Sequence, residues 1–140
     1  MGFKFNPLTA ELDMVGNSTV APTVDISANI ENVILDSNTS ALRAVYSNGV
    51  SVDIADNALF TTAQVYGITI QGGSAGNSVK VITAGHLQDS SFNFTPNEIV
   101  FLGSNGVITN MPPVSGVQSV IGLATKIDTI LVRISVPIQL

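Results

Sequence analysis

Apolar and polar residues alternate through most of the chain from Val24 onward. Val24, Ile26, Ala28 and Ile30 fall on one face of an extended segment, with Asp25, Ser27 and Asn29 on the other. A period of two marks a half-buried strand. Val33 and Leu35 continue the pattern after a change of register at Glu31 and Asn32, and the polar cluster at 36–40 ends it. Leu42, Ala44 and Tyr46 alternate into Ser47-Asn48-Gly49, and Val50, Val52 and Ile54 alternate out. This predicts a hairpin in which Asn-Gly supplies the positive φ angles of a tight turn.

Further strands are predicted over 64–71, 78–83, 98–102, 107–109 and 118–125, with a short extended piece at 93–95 before Pro96. The turns between them are rich in Gly and Asn: 72–77, the second Asn-Gly turn at 103–106, the loop 111–116 and the turn 126–128. The last strand alternates most regularly. Ile130, Val132, Ile134 and Val136 face one way, Leu131, Arg133 and Ser135 the other, and Pro137 is expected to end pairing. No segment carries a helical period. Short strands punctuated by Gly and Asn predict an all-β fold, a small antiparallel β-sandwich or barrel spanning 24–140, with an extended N-terminal arm.

The arm is residues 1–16. Phe3, Phe5, Leu8, Leu12, Met14 and Val15 are apolar but fit neither period, and Pro7 blocks a regular helix. A segment too short for its own core usually docks on another chain; the alternative is that it packs back onto its own domain. Phe3, Phe5, Pro7, Leu8 and Leu12 are its candidate anchoring residues, and 17–23 is a small polar linker.

Composition sharpens this picture. Lys and Arg number 5, Asp and Glu 10, so 11% of the 140 residues are charged, while 45% are hydrophobic. Soluble domains carry roughly 25% charge. No apolar run approaches the ~20 residues of a membrane helix, so a membrane partner is not expected. Low charge then points to surface buried against other chains. Net charge is −5, and the five cations are scattered at positions 4, 43, 80, 126 and 133. Nucleic acid needs clustered cations and is not an expected partner. There is no Cys, hence no disulfide or thiolate site, and Met1 to Pro7 does not read as a secretory signal.

Catalytic, cofactor and metal sites find no support in the sequence. His86 is the single histidine, expected at a strand end after Thr83-Ala84-Gly85, and it lacks a second His, a Cys or a surrounding motif. Asp53 and Asp56 form no glycosidase pair, and no calcium-loop spacing occurs. Gly72-Gly73-Ser74-Ala75-Gly76 lacks the Gly-Lys-Ser/Thr ending of a phosphate loop. Phe92 and Phe94, two apart, share a side of an extended segment and are the candidates for an interface or a glycan platform.

Several blocks occur in an order that resembles a known module. They are Ala41-Leu42-Arg43-Ala44-Val45-Tyr46-Ser47, Ala63-Gln64-Val65-Tyr66-Gly67-Ile68-Thr69 and Gly76-Asn77-Ser78-Val79-Lys80-Val81. Then come Gln88-Asp89-Ser90-Ser91-Phe92-Asn93-Phe94-Thr95-Pro96-Asn97, Val100-Phe101-Leu102-Gly103-Ser104-Asn105-Gly106, Pro112-Pro113-Val114-Ser115-Gly116 and the ending Val136-Pro137-Ile138-Gln139-Leu140. The chain resembles tailed-bacteriophage virion structural proteins with a capsid cement (decoration) or head-fibre-like β module. The opening Phe3-Lys4-Phe5-Asn6-Pro7-Leu8-Thr9-Ala10-Glu11-Leu12-Asp13 is similar to an N-terminal motif of such proteins, which commonly has Gly where this chain has Ala10.

The resemblance implies a virion role and a homotrimer, and does not fix the place in the virion. The acidic composition suits the particle exterior, the absence of a catalytic constellation suits a non-enzymatic role, and synthesis is expected in the host cytoplasm. The arm would dock on a major capsid, portal or tail protein. A cement role is preferred because the sequence stops at Leu140, straight after its last expected strand. The alternatives are a tail or head fibre anchor or adaptor and, from another class, a glycan-binding module using Phe92, Phe94, Tyr46 or Tyr66.

Overall fold

The computed structural model describes residues 23–24 and 28–140. The arm residues Phe3, Phe5, Pro7, Leu8 and Leu12 lie outside them, as do Asp25, Ile26 and Ser27.

Twelve short strands are present among the described residues: β1 (Thr23–Val24), β2 (Asn29–Ile34), β3 (Ala44–Ser47), β4 (Val52–Ile54), β5 (Val65–Thr69), β6 (Ser78–Gln88), β7 (Ile99–Leu102), β8 (Ile108–Thr109), β9 (Val117–Gln118), β10 (Val120–Lys126), β11 (Thr129–Arg133) and β12 (Ile138–Gln139). All strand pairs are antiparallel. The all-β expectation holds, in the form of a curled sheet.

β6 is the spine. Its first half pairs with β5 through Ile68↔Ile82 and Thr69↔Val81, and its second half with β11 through Thr129↔Gln88 to Arg133↔Ala84. β2 and β1 run along the opposite edge. From the first edge two wings extend, β5-β3-β4 and β11-β10-β7-β8. The register between β2 and β6 slips at Asn29 and Ile30, opposite Thr83, and Gly85 beyond it has φ +116°. A bulge and a left-handed glycine bend a strand, so one strand serves wings that point in different directions.

The curl creates two cores. The larger lies between the wings and contains Ala44, Ile68, Ile82, Leu87, Val100, Leu102, Ile121, Ile130 and Val132. The smaller contains Leu35, Val45, Val52, Val79 and Val81. It is enclosed because Leu35, just past β2, bridges in parallel to Val52 of β4, which closes a ring β2-β6-β5-β3-β4. Neighbouring residues therefore serve different cores: Ala44 and Val45 on β3, Val81 and Ile82 on β6.

Several expectations need correction. The register change expected at Glu31 and Asn32 lies instead at Asn29 and Ile30, and β2 is continuous from there to Ile34. Leu42 is not in a strand. It sits in a turn with φ +64°, its N–H donating to Thr69 O at 2.7 Å. The strand expected to stop at Thr83 runs on to Gln88, so His86 lies within β6 and opposite Leu131. The strand expected over 118–125 is broken at Ser119 into β9 and β10. Thr23, assigned to the linker, pairs with Gln88. Pro137 does not end pairing, for Ile138 and Gln139 form β12 against Gln118 and Val117.

The two Asn-Gly turns are built differently. At the second, Ser104–Gly106 form a single 3-10 turn closed by the Gly103 N–H on Val107 O (2.7 Å), and both Asn105 (φ +55°) and Gly106 (φ +73°) are left-handed. A Cβ on Gly106 would stand 2.8 Å from Ala44 O, so only glycine lets this turn pack on β3. At the first, only Gly49 is left-handed (φ +98°). There the Asn48 side chain closes the loop, its Oδ1 accepting the N–H groups of Val50 (3.1 Å) and Ser51 (2.9 Å). Val50 is left at the tip, 93% exposed, outside the strand expected to hold it.

Candidate assembly surface

At one end of the molecule, three segments distant in sequence meet. Val117 N–H donates to Asn57 O (2.9 Å), Leu140 N–H donates to Gly116 O (2.9 Å), and β12 pairs with β9. Gly116, at φ +81°, fits between them; a Cβ there would lie 2.7 Å from Asn57 O. The Gln139 side-chain amide adds a second donor to Gly116 O at 2.9 Å. Behind this ribbon, buried Ser119 donates its hydroxyl to Ala63 O at 2.6 Å, and Leu102 N–H donates to Ser119 O. These bonds tie the 55–63 loop to the ribbon.

This end carries many exposed apolar side chains, interspersed with exposed Thr61, Ser115, Ser135 and Gln139. Leu59, Phe60, Val114, Val136, Ile138 and Leu140 are all exposed, with Val114 at 98% and Val136 at 81%. The contributing segments carry no charged side chain: none occurs at 57–79, 99–125 or 134–140. Asp56 borders the patch, and its carboxylate is engaged by the N–H groups of Ala58 (2.9 Å) and Asn105 (3.0 Å). The charged groups around the ring of strands and its turns, Glu31, Asp36, Asp53 and Lys80, lie on other elements. Large contiguous apolar patches on soluble proteins mark interaction sites. Alternation places only Val136 among these exposed residues, in a last strand that in fact ends at Arg133. The legible signal was the length of the charge-free runs.

Phe92 and Phe94 do come together. Their ring centroids are 5.5 Å apart with planes inclined at 41°. Phe92 N–H donates to Asp89 O (3.1 Å) and Phe94 N–H to Ile127 O (2.9 Å), which fixes their loop against the β10–β11 turn. Both are half-buried against the larger core. Their remaining surface lines a groove of about 410 Å³ with Ser40, Leu42, Arg43 and Val107. Arg43 is held there by bonds from Nη1 to Asn105 O (3.1 Å) and from Nε to Ser40 Oγ (3.2 Å). Tilted rings seated on a core form a roof for that core more than a flat stacking platform.

His86 is exposed on β6, in a row across the sheet with Leu131, Leu123 and Ile99. It lines a hollow of about 340 Å³ with Gln88, Lys126 and Thr129. Among the described residues no group of three or more His, Cys, Asp or Glu is arranged to hold a metal ion. Asp53, within β4, accepts the Ser37 hydroxyl at 2.6 Å and its own neighbour's N–H, Ile54, at 2.8 Å, which ties β4 to the 36–40 turn. Tyr66 donates its hydroxyl to Glu31, across from β5 to β2. This bond, with lesser contributions from desolvation and the Glu31 charge, raises the Tyr66 phenol above its ordinary value. On Asp128, bonds from Gln88 and then Thr129 hold the carboxyl below its ordinary value. No helix among the described residues is long and apolar enough to cross a membrane.

No protein-family model matches the chain, and no curated protein matches it. Among solved structures, the chain is similar to the head fibre gp8.5 N base of bacteriophage phi29. The two align with a TM-score of 0.46 and 15% identity, over 76% of this chain and 94% of that one.

Proposed function

We propose that this chain is a non-enzymatic structural protein of a tailed-phage virion. In this reading it is a cement or decoration protein that oligomerises as a homotrimer through its β module and docks on the particle exterior by residues 1–16. One observation carries the assembly part: among the described residues, exposed apolar side chains from three segments that hold no charged side chain gather at one end. Water-exposed patches of this kind are stable when another chain covers them. The virion assignment comes from the ordered sequence blocks between Ala41 and Leu140 and from the Phe3 to Asp13 opening. A fibre anchor or adaptor would use the same arm and module, and is the second reading. The glycan-binding reading gains nothing from the tilted, core-seated rings of Phe92 and Phe94.

The test is co-sedimentation of purified protein with tailed-phage particles, with heads and tails separated. The full chain is expected to sediment with heads. A chain lacking residues 1–16 is expected to stay in the supernatant, with its β circular-dichroism signal and cooperative melting intact, because the described strands begin only at Thr23. Binding to tails in place of heads would select the fibre-anchor reading. A full chain that sediments with neither, or a truncated chain that binds equally well, would sink the arm-docking proposal.

A further inference from the structure

We infer that the charge-free end formed by the 57–63 loop, residues 114–118 and residues 136–140 is the surface through which copies of this chain bind one another. This deepens the assembly reading and rests on it. The occupant follows from charge. Each chain carries a net −5, so two copies repel wherever their carboxylates approach. Ten acidic side chains are spread over residues 11–128, and none falls within 57–79, 99–125 or 134–140. The end built from these three segments is therefore where copies meet with the fewest acidic side chains, Asp56 at its border being held by the N–H groups of Ala58 and Asn105. Interface centres are depleted of charge in the same way.

The apolar side chains there suit a dry contact. Leu59 is 62% exposed, Phe60 41%, Ile138 58% and Leu140 53%. None of them belongs to either core. Their backbone support is firm, since β12 is held by the β9 pairing and by Leu140 N–H on Gly116 O. β12 is also an edge. It belongs to a two-stranded sheet whose one described partner is β9. An edge strand offers unpaired N–H and C=O groups to a neighbouring chain. A second copy brings apolar surface of the same kind, and the open edge of β12 offers its backbone groups to that neighbour.

The experiment measures the mass of the purified full chain by light scattering across micromolar concentrations. It needs no particle, so its failure is separable from failure of virion docking. Wild type is expected to be oligomeric. Leu59→Asp and Ile138→Asp, at positions already exposed, should weaken association on the order of tenfold or more, with unchanged circular dichroism. Val50→Asp changes an even more exposed apolar residue in the β3–β4 turn and should leave the mass unchanged. A monomeric wild type would overturn the inference. So would Asp variants that keep the wild-type mass, or a Val50→Asp protein that dissociates. Should an Asp variant fail to fold, Leu59→Ser and Ile138→Ser give the same reading.

Discussion

At the level of single residues, polar side chains in this protein mostly finish turns or link strands. Tyr66 and Glu31 are the clearest case. The phenol donates to the carboxylate between β5 and β2, two strands that flank β6 on opposite edges. Ionising the phenol would set two negative groups against each other, so the folded chain holds the proton more tightly than the unfolded one. A phenol with a raised folded pKa contributes stability that is present below the unfolded value, near 10. That stability is lost as pH rises through the folded value. There are two tyrosines in the chain, so a Tyr46→Phe protein reports Tyr66 alone. Its phenolate absorbance at 295 nm should titrate above pH 10, and adding Glu31→Gln should bring the midpoint back toward 10. An unmoved midpoint would remove the hydrogen bond from the account.

Among the elements, the hairpins and turns were legible because their chemistry is local. Asn105-Gly106 needs two left-handed residues, and few other pairs supply them. The alternation of Ile130 and Val132 against Arg133 was legible for the same reason. What escaped was set by long-range geometry. β6 continues through Ala84, Gly85 and His86 because β11 and β1 pair with it there, although the local sequence reads as a strand end. β12 forms after Pro137 because Gln118 and Val117 present a partner, which a local reading of proline cannot see. The apolar end was illegible as a site because its three segments lie far apart in sequence. Ser119 shows how tertiary contact overrides pattern. Its position inside the strand expected over 118–125 suggested no interruption, yet its buried hydroxyl bonds to Ala63 O where β9 ends and β10 begins. Ser119→Ala leaves that carbonyl without its partner and should cost about 1–3 kcal/mol in urea unfolding. Ser119→Val adds bulk at a fully buried position and should cost more. A Ser119→Ala protein as stable as wild type would show that the bond does not hold the loop.

For the whole molecule, the sharing of β6 between two cores decides how it unfolds. Val79 and Val81 point into the smaller core, Ile82 and Leu87 into the larger. Neither core survives loss of this strand, so the two should melt as one cooperative unit. Val81→Ala and Leu87→Ala remove fully buried methyl groups from different cores. The leucine change should cost about 2–5 kcal/mol and the valine somewhat less. Both should move the same single calorimetric transition. Self-association adds a second signature. A chain that associates only when folded gains stability by mass action, so its Tm rises with protein concentration. Ile138→Asp should abolish that concentration dependence while leaving one cooperative transition, because Ile138 lies outside both cores. Two resolved transitions in the wild type, with Val81→Ala moving one and Leu87→Ala the other, would mean that β6 does not couple the cores. A Tm that still climbs with concentration in Ile138→Asp would place the contact between copies somewhere other than the charge-free end.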